Sequence, residues 1–196
     1  MARVPASGTQ YTISSGDYEA VIASVGASLR SLTWRGRDLV VPFEEDEVRP
    51  AYRGVTLVPW PNRVVDGLYT YDGVDYVLAH SEPARGHALH GLAAWLDYTM
   101  VALDDASVTL ARIIEPQSGY PWRLTVETTY ALGAEGLTQT VRAVNNAPGS
   151  APFGTGPHPY LVAGSGSVDD WTLELPAREV LDVTDDRLIP TELRSI

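Results

Sequence analysis

The chain has 196 residues, 44% hydrophobic and 20% charged, which is enough apolar material for one sizeable core. Asp and Glu number 25 against 14 basic residues, and the formal net charge of −11 argues against nucleic acid or an anionic membrane surface as a partner. All 14 basic residues are arginine and there is no cysteine, which excludes lysine Schiff bases, thiolate catalysis, disulfides and zinc sites of the cysteine type.

The N-terminal Met1-Ala2-Arg3-Val4-Pro5-Ala6-Ser7 has no apolar stretch of signal-peptide length, and no segment approaches the ~20 apolar residues of a membrane span. A cytoplasmic protein is expected. Glycine (17) and proline (14) are spread over the whole length, so long helices are not expected. Strands are predicted at Tyr18–Ala23 and Ser28–Trp34. The acidic run Glu44-Glu45-Asp46-Glu47 reads as a solvated loop. Asp72-Gly73 tolerates the positive φ angles of a two-residue turn, so residues 68–71 and 74–78 form a hairpin.

Ser107–Ile114 reads as a further strand. Residues 123–130 alternate strictly, with Leu124, Val126 and Tyr130 on one face and Arg123, Thr125, Glu127 and Thr129 on the other. Gly133-Ala134-Glu135-Gly136 then turns the chain into residues 137–144, a second hairpin. A last strand is predicted at 171–175, with Trp122 and Trp171 in the core. The regular spacing of short strands and turns predicts an all-β antiparallel sandwich, and no repeat or linker divides residues 1–196 into more than one domain.

The candidate chemistry lies in loops rich in proline and glycine, where a scaffold places side chains. His158 sits in Pro152-Phe153-Gly154-Thr155-Gly156-Pro157-His158-Pro159-Tyr160. An imidazole with an ordinary pKa of ~6.5, fixed there, can protonate an oxygen near neutrality. The alternative is a loop histidine with no role. His87-Ala88-Leu89-His90 has a metal-like spacing, with His80 or His158 as further ligands, but Gly86 and Gly91 bracket it and argue against a helix. His90 is read instead as a hydrogen-bond donor to a ligand, and His87 as supporting or surface. Arg63 offers a rigid fork of donors for ligand oxygens, with Asn62 beside it. Trp60, Trp95, Trp122 and Tyr160 are candidates to stack on a sugar face or to fill the core.

With these segments in view, the sequence resembles the aldose 1-epimerase, or galactose mutarotase, family. The resemblance rests on Pro61-Asn62-Arg63, the hairpin Gly67-Leu68-Tyr69-Thr70-Tyr71-Asp72-Gly73, Leu89-His90-Gly91 with Trp95, Gly119-Tyr120-Pro121 and His158-Pro159-Tyr160, in that order. It implies a large antiparallel β-sandwich of the galactose mutarotase-like supersandwich type, with a sugar cleft on one sheet. It implies His158 as general acid, Asn62, Arg63 and His90 on the sugar hydroxyls, and Tyr160 lining the cleft. It further implies a free hexose as the substrate, its α and β anomers interconverted by acid–base ring opening and reclosure. Such a reaction would need no redox step and so no cofactor, and no metal is expected.

Members of the family continue beyond the position of Ile196, and their general-base glutamate lies in that later portion. The resemblance therefore implies a sandwich incomplete at its C-terminal side, with one sheet edge open to self-association. Glu192 does not align with that base. Pro159 and the run Phe153-Gly154-Thr155-Gly156 depart from the family's best-known members and imply a divergent subgroup. Two alternatives remain: a carbohydrate-binding sandwich that has lost catalysis, and a hexose-phosphate epimerase using Arg85 or Arg123 for the phosphate.

Overall fold

The structure, a computed structural model, describes residues 3–196; Met1 and Ala2, the first residues of the N-terminal segment, lie outside the described residues. The first sheet is antiparallel and runs in chain order through β1 (Gln10–Ser15), β2 (Tyr18–Ala23), β3 (Ser28–Trp34) and β4 (Arg37–Asp38). Short elements follow: β5 (Thr56–Leu57), β6 (Arg63–Val64), the hairpin β7 (Leu68–Tyr71) and β8 (Val74–Val77), and β9 (Ala88–Leu89). The second antiparallel sheet contains β10 (Thr99–Leu103), β11 (Ser107–Ile114), β12 (Leu124–Gly133) and β13 (Gly136–Asn145). After it come β14 (Gly156–Pro157), β15 (Glu179–Val183) and β16 (Pro190–Ser195). The helical pieces among the described residues are three-residue 3-10 turns, and no helix there is long and apolar enough to cross a membrane.

The two sheets pack through β1 and β2 of the first against β11 and β12 of the second. β12 shows why: Leu124, Val126, Thr128, Tyr130 and Leu132 are buried, while the residues between them face outward. They share one core with Ile13, Ala20 and Ile22 of the first sheet and Val108 and Leu110 of β11. Fully burying a side chain such as Leu110 contributes roughly 1.5–3 kcal/mol. Tyr130 is hydrogen-bonded at the centre of this core, whereas Thr128 Oγ1 and Tyr98 Oη are buried without a partner. Tyr130 Oη donates to the Ala27 carbonyl at 2.8 Å and accepts from Gln139 Nε2 at 2.9 Å. Gln139 Nε2 also donates to Thr56 Oγ1 at 2.9 Å, which ties β13 to β5.

The turns follow the residues they were predicted from. Tyr71 pairs with Val74 across Asp72 and Gly73, whose φ angles are +50° and +75°. Gly133 pairs with Gly136 at the tip of the long hairpin. One predicted strand is corrected. Residues 171–175 form no strand, Leu173 and Leu175 are exposed, and Trp171 is only half-buried. The period-two pattern is real, but no strand lies alongside this segment to take its ladder bonds, and Pro176 ends it.

Candidate functional site

Two small ladders carry the site. β5 pairs with β14, placing Leu57 opposite Gly156, and the chain leaves β14 directly into His158. β6 pairs with β9, placing Arg63 opposite Leu89, and β9 runs directly into His90. A bridge from Val58 to Gly91 joins the two. Only glycine fits at 91: its φ is +77°, and a Cβ there would lie 1.9 Å from the Val58 carbonyl oxygen. Gly54, at φ +67°, approaches Leu29 equally closely, and its N–H donates to the His158 carbonyl at 2.8 Å.

The two ladders bring His90 and His158 edge to face, with ring centres 5.1 Å apart. His158 is half-buried and stacks on Tyr160 at 5.7 Å. Tyr160 Oη donates to the Ala51 carbonyl at 3.3 Å, and the Arg53 guanidinium lies over its ring. His90 is buried, in a left-handed backbone conformation at φ +64°. Its N–H donates to the Asn62 carbonyl at 3.0 Å, and its Nδ1 lies 3.0 Å from the Pro61 carbonyl oxygen. A carbonyl can only accept, so Nδ1 carries a proton, and in the neutral ring Nε2 is a lone pair. Burial pushes the imidazole below its ordinary value; the bond to Pro61 opposes this, and His158 and Arg63 add to the lowering. The neutral ring thus presents an acceptor at Nε2, where the sequence reading expects a donor.

Arg63 is held as a fork on Glu82: Nε donates to Oε2 at 2.7 Å and Nη2 to Oε1 at 2.8 Å. Arg85 donates to the same carboxylate at 3.0 Å. Hydrogen bonds from Arg63, joined by those from Arg85, hold the Glu82 carboxyl down at about 2, and Glu82 in turn raises Arg63. Asn62 is exposed, and its Oδ1 accepts from Arg63 Nη1 at 3.3 Å.

Four contributors were not singled out from sequence: Glu82, Tyr52, Arg49 and Arg53. The Tyr52 ring packs edge-on against His90 at 4.7 Å, and lies 5.5 Å from Trp95 and 6.3 Å from His158. Arg49 is buried, donating to the carbonyls of Val25 at 3.0 Å and Ala94 at 2.5 Å and to Ser28 Oγ at 2.7 Å. Burial lowers its pKa to about 10, and its guanidinium sits 4.5 Å from the centre of the Trp95 ring. Trp95 itself is 52% exposed, an aromatic surface backed by a buried cation. Nothing in the short sequence Arg49-Pro50-Ala51-Tyr52 signals this, because the link is a fold contact between distant segments.

His87 is fully buried rather than at the surface. Its Nδ1 accepts from the Asp66 N–H at 3.2 Å and its Nε2 donates to the Arg187 carbonyl at 2.8 Å. His80 Nε2 lies 2.9 Å from the Asp66 carbonyl oxygen. These rings are committed to backbone, and no cluster of three metal-ligating side chains occurs among the described residues. Arg123 pairs with Glu115. Trp122 is in the core as expected, and Trp60 is half-buried against it. Trp60 also lines an apolar cavity of about 260 Å3 with Tyr120 and Phe153, to which neither histidine contributes.

The architecture is that of the galactose mutarotase-like sandwiches. A GalM/aldose epimerase homologue from C. elegans superposes with a TM-score of 0.84 at 25% identity, covering 95% of this chain and 61% of that one. The galactose 1-epimerase from Lactobacillus acidophilus shares the fold with a TM-score of 0.80 at 18% identity, covering 94% of this chain and 57% of its own. The sequence profile described as aldose 1-epimerase matches residues 9–194, and the chain belongs to that family. It is 40% identical over 191 residues to the uncharacterised protein YihR of Escherichia coli K12, covering 97% of this chain and 62% of YihR. It is 29% identical over 203 residues to the galactose mutarotase of Bos taurus, covering 95% of this chain and 58% of that enzyme. The chain thus spans about three-fifths of the length of these relatives.

Proposed function

We propose that this chain binds a free hexose over the surface formed by His90, His158, Arg63 and Trp95 and takes part in interconverting its anomers. The observation that carries this is the 5.1 Å pairing of two histidines in different environments beside an arginine fixed by a carboxylate. Anomer exchange needs a proton given to the ring oxygen and another taken from the C1 hydroxyl. The C1–O5 bond then breaks, C1–C2 rotates, and the ring closes on the other face.

His158 is the general acid for the ring oxygen, half-exposed and stacked on Tyr160. His90 accepts from a sugar hydroxyl through Nε2. Arg63 and Asn62 supply donors that orient the sugar and stabilise the charge that builds up as the ring opens. Tyr52, Trp95 and Tyr160 are the aromatic surfaces for the sugar's apolar face. Glu82 is unsuited to act as the base, because two arginines hold it strongly ionised and weakly basic.

The test is polarimetry of freshly dissolved α-D-glucose and α-D-galactose with the purified chain. Exchange faster than the spontaneous rate is expected. A folded chain that binds the sugars without accelerating exchange would instead be a carbohydrate-binding sandwich.

A further inference from the structure

Residues 178–196, which contain β15 and β16, are hydrogen-bonded to the rest of the described chain through one residue, Arg187. Its Nε donates to the Arg85 carbonyl at 2.9 Å, and its Nη2 donates to the Asp66 carboxylate. Its own carbonyl accepts from His87 Nε2 at 2.8 Å. All three partners border the element that holds Arg63. Asp66 follows β6 in the chain, and Arg85 shares the Glu82 carboxylate with Arg63. His87 closes the turn that begins at Glu82: Glu82 N–H donates to the His87 carbonyl at 3.0 Å, and the Glu82 carbonyl accepts from Gly86 at 2.9 Å and from Arg85 at 3.1 Å. This hydrogen-bonded turn has Glu82 facing Arg63 at one end and His87 facing Arg187 at the other.

We propose that Arg187 is a positioning residue for Arg63: by latching the β15–β16 segment onto Asp66, Arg85 and His87, it fixes the turn that aims Glu82 at the Arg63 guanidinium. The effect on Arg63 stands on geometry alone. The effect on a sugar rests on the activity proposed above. A plain staple for the C-terminal hairpin could attach anywhere on the surface, whereas this one engages residues on both sides of the Arg63 clamp.

Hydrogen exchange at the Arg63 Nε–H, read by heteronuclear NMR at mildly acidic pH and assigned with Arg63→Lys, tests the latch without turnover. Arg187→Met keeps the aliphatic stem and removes the fork. It is expected to speed exchange at Arg63 about fivefold while the surface pair at Arg142 is unchanged, with Arg187→Lys intermediate. Unchanged exchange at Arg63 in folded Arg187→Met protein overturns the proposal. If that variant does not fold, Asp66→Asn removes one contact of the three and is read the same way. With D-galactose as substrate, Arg187→Met raises KM about fivefold and leaves kcat near its original value. A wild-type chain that does not epimerise galactose refutes the function proposed above and leaves the exchange result to decide the latch.

Discussion

The two halves of the site are held by different physics. His90 and His158 are placed by backbone and aromatic packing: glycines with left-handed φ at 54 and 91, a carbonyl on His90 Nδ1, and the rings of Tyr52 and Tyr160. Arg63 is placed by charge, as a bidentate ion pair with Glu82 on a turn that is itself tied down by Arg85 and His87. The histidine half therefore depends on no ionised carboxylate for its geometry. The arginine half keeps its geometry only while Glu82 is ionised.

Substitutions separate the two halves. His158→Asn removes the proposed acid and leaves the packing, and is expected to lower epimerase kcat by about 10²–10⁴-fold with the melting temperature nearly unchanged. Glu82→Gln acts on the other half. It leaves Arg63 unpaired at a mostly buried position, so urea denaturation should show a loss of roughly 1.5–3 kcal/mol, with a raised KM for the sugar.

Acid pH separates them again. Glu82 has its folded pKa depressed to about 2, so its contribution to stability is present above the ordinary carboxylate value of 4.5 and is lost as pH falls from there toward 2. His90 is also depressed, from 6.5; neutral His90 stabilises the fold above that value, and this is lost as pH falls through the lower folded value. Sugar affinity measured by Trp95 fluorescence should accordingly fall in two stages on acidification, His90 before Glu82. A single stage would mean that the halves are not independent. The smallest effect is a control. Arg142→Ala breaks a surface pair with Glu127 and should change stability by no more than about 0.5 kcal/mol in thermal denaturation.

The same division governs what the sequence made legible. Strands with one buried face, such as β11 and β12, announce themselves by alternation, and Asp72-Gly73 announces its turn. β1, β10 and β16 are polar or exposed throughout most of their length and carry no period to read. Residues 171–175 carry the period but lack a partner strand. In the site, His90, His158, Arg63, Asn62 and Tyr160 were singled out because they sit in loops of proline and glycine. Glu82 and Tyr52 were not, because their roles arise from register: Arg63 opposite Leu89 in one ladder, and Gly156 opposite Leu57 in the other. The tautomer of His90 depends on Pro61, which only the fold brings to its Nδ1.

On the proposed function, His158 transfers a proton during anomer exchange. Exchange NMR on equilibrated D-galactose, with the wild-type chain and His158→Asn side by side, tests it most directly. Exchange well above the spontaneous rate is expected for the wild type, with a return to near that rate for a folded His158→Asn chain. Equal acceleration by both would contradict it.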